Sequence, residues 1–346
     1  MKNREDSFNL NEISKYRPHL FGIAIIMVVF HHLTYKYDSG LVGKAYMFLR
    51  VTGAMGVDIF LFLSGLGCYY SFSKNESISE FYSRRFKRIL PAYLIVALIA
   101  YFITDIILDK TGILTYLADV SLISFWINGG SDWYIAASIF LYLLFPLLYK
   151  YTTQIKHGPG VLLVAWLVIV ITVYSANRDY FNATSRLWAR VPVFIFGIII
   201  APKVKNGIII KNWSRKLAIV IVVNIVSLLI EASLALKGSE YAYSFTARLL
   251  YCPLAISASI ILVYVLSRVK MQKCKKALAW GGGITLEIYM LNQRLIGLST
   301  FLGVKLVSNN DLAILFWNVV GVIVTLLTSY WLHKAIDSTR KRLAIL

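Results

Sequence analysis

Apolar residues in this sequence are grouped into long blocks, separated by short polar segments that are rich in lysine and arginine. About twenty apolar residues in a helix cover the ~30 Å hydrocarbon core of a bilayer, so each block predicts a membrane-spanning helix. We predict ten such helices, at residues 18–37, 51–71, 90–108, 133–149, 160–176, 187–202, 217–235, 249–267, 279–297 and 312–332. A weaker apolar stretch from Ile113 to Ile127 is short and contains Asp119, which favours a re-entrant or surface segment.

The composition supports a membrane protein rather than a soluble enzyme. Of the 346 residues, 58% are hydrophobic and 15% are charged, whereas soluble domains have roughly 25% charged residues. A net charge of +19 would suggest nucleic acid as the partner of a soluble protein. Here the basic residues lie between apolar blocks, which indicates helix orientation and contact with membrane lipid, and we expect no nucleic-acid partner. The three cysteines are far apart and predict neither a disulfide framework nor a metal site.

The distribution of basic residues also predicts the orientation of the helices. With the N-terminus in the cytoplasm, most lysines and arginines outside the predicted spans fall on the cytoplasmic side. Ten spans then place both termini in the cytoplasm. Because no internal repeat or long linker divides the chain, we predict one all-α transmembrane domain over residues 1–346.

Ionisable residues inside predicted spans are the first candidates for chemistry, because a bilayer makes them costly. Along its helix His32 lies about 22 Å from Arg17, and Asp58 enters the membrane from the other side to a similar depth. A carboxylate at this depth predicts a dyad in which Asp58 orients the imidazole of His32 as a base. The alternative is that His31 or His32 only bonds the backbone or a neighbouring helix. Asp105 and Glu231 lie near predicted span ends, where an interfacial position is expected.

A cationic cluster is expected at the cytoplasmic end of the third span. The segment RRFKR, residues 84–88, is followed by Leu90 and Pro91, and we expect Pro91 to begin a helix. Arginine side chains and a helix N-terminus both favour phosphate. Arg17 and His32 are separated by ~60° around the helix axis, so both can face one lumen. The simpler interpretation of the cluster is positive-inside orientation alone.

Several segments together resemble the acyltransferase-3 family of integral membrane O-acyltransferases, which modify bacterial surface polysaccharides. The first span contains Gly22-Ile23-Ala24 followed by His32, and the second, GVDIFLFLSGLGCYYS, contains Asp58, Ser64 and Gly65. The run RRFKRILPAY is similar to the family's arginine-rich segment before proline. The pairs Trp133-Tyr134 and Phe145-Pro146, and then Arg190-Val191-Pro192 with Phe196-Gly197, are similar to its fourth and sixth helix motifs.

The resemblance implies an acyl-CoA donor, most often acetyl-CoA, and a surface glycan or lipid-linked saccharide as acceptor. It implies a multi-pass protein of the bacterial cytoplasmic membrane that needs no metal. The acyl-CoA phosphates would bind the arginines at the cytoplasmic side, Arg17, Arg84, Arg85 and Arg88. His32 would deprotonate the acceptor hydroxyl or accept the acyl group itself, with His31 beside it and Asp58 as its partner. The residues expected to line the cavity are Ser64, Trp133, Tyr134, Arg190, Glu287, Tyr289 and Asn292.

Two departures from the family pattern are visible. Phe21 occupies the usual position of the basic residue, and Arg17 lies one turn earlier. Asn292 replaces a histidine in the ninth span, and an amide cannot act as a base near neutral pH. A transporter or flippase for a lipid-linked saccharide or an acylated small molecule is the alternative function, although no inverted repeat is detected.

Overall fold

The computed structural model describes residues 6–33, 40–130, 132–306 and 311–343, and these ranges are almost entirely helical. This confirms the all-α prediction. In chain order the helices are α1 (Asn11–Lys15), α2 (Arg17–His32), α3 (Leu41–Gly53), α4 (Gly56–Phe72), α5 (Ile78–Tyr101), α6 (Ile113–Val120), α7 (Ile123–Asn128), α8 (Trp133–Thr153), α9 (Gly158–Ala176), α10 (Arg178–Trp188), α11 (Val191–Lys205), α12 (Trp213–Lys237), α13 (Ser239–Ala242), α14 (Phe245–Arg268), α15 (Gln272–Gly283), α16 (Thr285–Leu306) and α17 (Asp311–Leu343).

Within the described ranges, eight helical segments are long and apolar enough to cross a membrane. They are Gly43–Phe72, Ile78–Leu108, Trp133–Thr153, Gly158–Ala176, Arg178–Lys205, Trp213–Lys237, Phe245–Arg268 and Ala313–Arg342. They correspond to eight of the ten predicted spans. The other two predictions correspond to α2, which has 16 residues, and to α16, which is interrupted by polar residues. These two helices carry His32 and Asn292. Residues 34–37 of the first predicted span lie outside the described residues.

The third predicted span begins earlier than expected. Helix α5 starts at Ile78, where Ser77 caps it by accepting a hydrogen bond from the backbone amide of Glu80. Pro91 therefore lies inside α5, and the prediction that it begins a helix is wrong. After Tyr101 the chain continues as a π-helix over Phe102–Leu108. The weak stretch from Ile113 to Ile127 is divided between α6 and α7, both too short to span a bilayer.

Segments predicted to be cytoplasmic meet on one face of the molecule. Strand β1 (Ser7–Asn9) pairs with strand β2 (Ile209–Lys211) in antiparallel register, with Phe8 opposite Ile210. Near the C-terminus, Arg340 donates a hydrogen bond to the carbonyl of Lys87 at 2.6 Å. The N-terminal strand thus contacts the loop between α11 and α12, and the C-terminal helix contacts α5.

Helix α4 lies at the centre of the bundle. It is apolar on all sides, and 13 of its 17 residues are buried, as expected of a helix surrounded by others. Helices α2, α8, α11 and α14 all pack against it. By contrast, most side chains of α9 and α12 are exposed and face the region where lipid would lie.

Glycines allow the central helices to approach backbone to backbone. A Cβ atom added to Gly65 of α4 would lie 2.2 Å from the carbonyl oxygen of Phe194, and one added to Gly197 of α11 would lie 2.2 Å from that of Phe62. Reciprocal contacts of the same kind join Gly22 of α2 to Gly282 of α15. In lipid, where burial of apolar surface does not drive helices together, such close packing supplies much of the association energy.

We predict that Gly65→Ala and Gly197→Ala each lower the melting temperature of the detergent-solubilised protein. Each added methyl group must displace a facing backbone, at a cost of about 1–3 kcal/mol. Gly160→Ala is the matched control, because Gly160 has open space around its Cβ position. Alanine is the better helix former, so this control should keep or raise the melting temperature. A melting temperature that falls equally in all three variants would contradict the close-packing account.

Candidate active site

Two cavities lie inside the bundle, and Tyr289 of α16 borders both. The first, here called the narrow cavity, has a volume of about 60 Å³ and is lined by Arg17, Arg85 and Arg88. The second, the outer cavity, has a volume of about 1030 Å³ and is lined by His31 and His32. The candidate donor residues and the candidate base therefore border different cavities that meet at one tyrosine.

Arg17 and Arg85 converge on Gly67 of α4. The guanidinium of Arg17 fills the place where a side chain at residue 67 would lie, and Nη2 of Arg85 donates a hydrogen bond to the Gly67 carbonyl oxygen at 2.8 Å. Arg85 also lies 5.3 Å from the ring centroid of Phe81. Across the described ranges, neither these two side chains nor Arg88 forms an ion pair with a carboxylate. Their positive charge is available to an anion in the narrow cavity.

Arg84 does not share this arrangement. It is exposed, forms a 2.9 Å ion pair with Glu80 and donates a hydrogen bond from Nε to the Ser71 hydroxyl at 3.2 Å. It points away from the narrow cavity because neighbouring residues of a helix differ by ~100° in direction. The prediction that Arg84 belongs with Arg85 and Arg88 is therefore wrong in its geometry.

His32 is positioned by Asn292. Its Nδ1 atom contacts the side-chain oxygen of Asn292, whose amide nitrogen donates to the carbonyl oxygens of Ile288 and Tyr289 at 2.9 and 2.7 Å. These two carbonyls determine the amide orientation, so the oxygen faces the histidine. An amide oxygen only accepts hydrogen bonds, hence Nδ1 carries the proton and Nε2 is the basic nitrogen. Asn292 thus orients His32, although its own amide cannot act as a base.

The predicted contact between Asp58 and His32 is not the one that forms. The Asp58 carboxylate pairs with Nε of Arg190 at 3.1 Å, and both side chains are at most 4% exposed. The guanidinium of Arg190 lies 4.8 Å from the ring centroid of Trp133, on the wall of the outer cavity. Helix α4 is surrounded by other helices, and Asp58 faces the start of α11.

His31 binds the backbone, as the alternative interpretation allowed. Its Nδ1 donates to the carbonyl oxygen of Arg50 at 2.8 Å, and Nε of Arg50 donates back to the His31 carbonyl at 3.1 Å. This reciprocal pair joins α2 to α3. The ring also packs edge-on against Tyr243 at 5.9 Å, so His31 supports the wall of the outer cavity beside His32.

The other predicted cavity residues do not share one location. Ser64 and Tyr134 line the narrow cavity, Trp133 and Arg190 line the outer cavity, and Tyr289 lines both. Asn292 is buried against His32. Glu287 lies on another side of α16, where it accepts a 2.8 Å hydrogen bond from His333 of α17. The prediction that Glu287 lines the cavity is therefore wrong.

One acidic residue of the site, Asp132, escaped sequence reasoning. Arg294 forms a two-pronged pair with Asp132, with 2.7 and 3.2 Å contacts. Arg294 is conspicuous inside a predicted span, but Asp132 lies just before α8, where a carboxylate attracts no notice. Glu231 and Asp105, near the ends of their predicted spans, are 0% and 7% exposed because other parts of the protein cover them. In the described part of the chain, no group of three or more His, Cys, Asp or Glu side chains could hold a metal ion.

Comparisons with known proteins agree with this architecture. The family profile described as an acyltransferase domain matches residues 22–334. The chain belongs to the acyltransferase-3 family. It is 27% identical over 199 residues to the acyltransferase MdmB of Streptomyces mycarofaciens, covering 48% of this chain and 51% of that protein.

A second relative is the Staphylococcus aureus protein named "Putative O-acetyltransferase SAS0844". The identity is 24% over 236 residues, covering 58% of this chain and 37% of that protein. The chain thus spans about half the length, or less, of the curated relatives that it matches. No solved structure matches the chain significantly. As a family member, this chain is a membrane O-acyltransferase homologue.

We predict that Asp58→Asn destabilises the protein strongly, because it leaves the Arg190 charge buried without its partner, at a cost of about 3–5 kcal/mol. The double variant Asp58→Asn, Arg190→Gln should lose less than the sum of the two single variants. Glu80→Gln, which breaks the exposed pair with Arg84, is the matched control and should cost about 0–1 kcal/mol. Melting temperatures of the solubilised variants measure these differences. Additive losses would show that Asp58 and Arg190 are not coupled.

Proposed function

We propose that this protein transfers an acyl group, acetyl as the first candidate, from cytoplasmic acyl-CoA to a hydroxyl of an extracytoplasmic glycan or lipid-linked sugar. The observation that carries the proposal is the arrangement around Tyr289. Unpaired arginines border the narrow cavity on one side of it, and an oriented histidine borders the outer cavity on the other. A donor anchored by phosphate and reacting at its far end fits this arrangement.

The donor binds through its phosphates. Arg17, Arg85 and Arg88 provide charge-assisted hydrogen bonds to phosphate oxygens at the cytoplasmic mouth. The thin pantetheine arm extends along the narrow cavity, between Tyr134 and Tyr289, whose ring centroids are 4.6 Å apart. Side-chain rotation of these two tyrosines would open the way for the thioester to reach the outer cavity. No nucleotide need cross the membrane.

His32 acts as general base and then as general acid. Its Nε2 accepts the proton of an acceptor hydroxyl while the hydroxyl oxygen attacks the thioester carbonyl carbon. The carbon–sulfur bond breaks, and the CoA sulfur leaves as a thiolate that recovers the proton from Nε2. During the step the imidazole carries a positive charge, which the oxygen of Asn292 stabilises through Nδ1–H. Proton and charge balance without an external base.

The membrane orientation in the proposal has two supports. The lysine and arginine distribution places the Arg17 and Arg85 side in the cytoplasm. The strand pair and the contact of Arg340 with Lys87 join segments assigned to that side. The outer cavity then faces the extracytoplasmic side of a bacterial cytoplasmic membrane, where surface glycans are accessible.

We predict that His32→Ala lowers ester formation by about 10²–10⁴-fold, the usual contribution of a general base. His31→Ala should have a milder effect, because His31 mainly joins α2 to α3. The matched control is His157→Ala, at the exposed start of α9. The assay follows release of CoA thiol from acetyl-CoA together with ester formation on the glycan. Full activity of the His32 variant would refute the mechanism, and transport of a saccharide without thioester consumption would favour the transporter alternative.

We also predict that Arg85→Gln combined with Arg88→Gln weakens acetyl-CoA binding by at least about tenfold, through lost charge-assisted contacts to phosphate. Binding to the purified protein should weaken with salt in the wild type and depend less on salt in the variant. Arg84→Gln is the control on the same helix turn, because Arg84 pairs with Glu80. Equal losses in the control and the test variant would indicate that the cluster serves orientation alone.

A further inference from the structure

One wall of the outer cavity is formed by three arginines from different helices. Arg186 lies in the last turn of α10, Arg190 precedes the first turn of α11, and Arg248 lies in the first turn of α14. Arg248 lies within electrostatic reach of both others. The guanidinium groups of Arg186 and Arg190 both lie over the ring of Trp133, at 5.7 and 4.8 Å from its centroid.

The hydrogen-bond and ion-pair partners of these arginines neutralise only part of their positive charge. Nη2 of Arg186 donates to the carbonyl oxygen of Gly129, and Nη1 of Arg248 donates to the Ser185 hydroxyl, each at 2.8 Å. Both partners are neutral. In the described ranges, the carboxylate that pairs with this wall is Asp58, bound to Arg190. Three positive charges therefore face one negative charge beside a water-accessible cavity.

Another part of the outer-cavity lining is acidic. Asp105, Asp109 and Asp119 line it together with the hydroxyl groups of Thr104 and Thr111. Asp119 is close to Asp105, and the remaining acid, Asp132, is paired with Arg294. Carboxylates accept hydrogen bonds from hydroxyl groups. The lining of the outer cavity thus combines a cationic group, which favours an anion, with a group of carboxylates, which favours hydroxyls.

We propose that the acceptor carries an anionic group, a phosphate or a carboxylate, which binds Arg186 and Arg248 while its sugar hydroxyls face His32 and the aspartates. This inference rests on the proposed function and specifies its substrate class. A volume of about 1030 Å³ is at the upper end of ordinary ligand pockets, which leaves room for more than one sugar ring. The two arginines determine which hydroxyl reaches Nε2 of His32, because the anion anchors one end of the acceptor.

The proposal is tested by binding alone, without the donor. Glucose 6-phosphate, glucuronate and glucose serve as probes in calorimetric titrations of the solubilised full-length chain. We expect at least one anionic probe to bind at least about tenfold more tightly than glucose, and its affinity to fall with salt. Tighter binding of glucose 6-phosphate assigns a phosphate, and tighter binding of glucuronate assigns a carboxylate. Equal binding of all three probes, or none, would overturn the proposal.

Substitutions locate the site. Arg186→Gln with Arg248→Gln should abolish the preference for the anionic probe, whereas Arg186→Lys with Arg248→Lys should retain most of it. Arg178→Gln is the matched control on the same helix as Arg186, because Arg178 is exposed and packs against Tyr174. Unchanged acetyl-CoA affinity verifies that each variant is folded. If the lysine variant loses as much as the glutamine variant, or the glutamine variant loses nothing, the proposal is wrong.

The test of the anion site and the test of the proposed acyl transfer can give different results. A protein that binds the anionic probe at these arginines but never consumes acyl-CoA in the presence of a glycan would retain the anion site and refute the acyl transfer. A protein that consumes acyl-CoA but binds glucose as tightly as glucose 6-phosphate would retain the transfer and refute the anion site.

Discussion

Backbone contact between helices at glycine is the constraint on which this architecture depends. Helix α2 carries both Arg17 and His32, and its position is set by Gly22 against α15 and by Gly56 of α4 against the carbonyl of Ala24. In a bilayer the apolar surface of a helix gains little by leaving lipid, so association relies on close packing and buried polar contacts. A larger side chain at these glycines would move α2, and with it Arg17 relative to Arg85 of α5 and His32 relative to Asn292 of α16.

Among these packed helices, charged residues that form an ion pair lie in different places from arginines that have no carboxylate partner in the described residues. Two ion pairs lie beside the outer cavity, Asp58 with Arg190 and Asp132 with Arg294, and each offsets the cost of removing its charges from water. The arginines of the narrow cavity and Arg186 and Arg248 of the outer cavity lack carboxylate partners in the described residues. Cations without a carboxylate partner beside a cavity favour the binding of an anion, and among the described residues such cations border both cavities.

The motifs that resemble the family combine packing with chemistry. Gly22, Gly65 and Gly197 each belong to a motif, and in the structure each lies against the backbone of another helix. His32 and Arg85 belong to the same motifs and face the cavities. The departure at residue 292 is accommodated because orientation of the imidazole needs a hydrogen-bond acceptor, which asparagine supplies. Each of these motifs therefore combines a close contact between helices with a polar side chain.

Hydrophobic block length was sufficient to predict an all-helical membrane protein and the approximate position along the chain of its long apolar helices. These properties depend on position along a helix axis, which sequence spacing measures directly. Partners depend on the direction in which a side chain points and on the helix that packs there. Asp58 therefore turned out to bind Arg190 rather than His32, Arg84 separated from Arg85, and Asn292 met His32 across 260 positions of sequence. Only the packing of α2, α4, α5, α11 and α16 decides those contacts, because helices distant in sequence become neighbours only after the bundle has assembled.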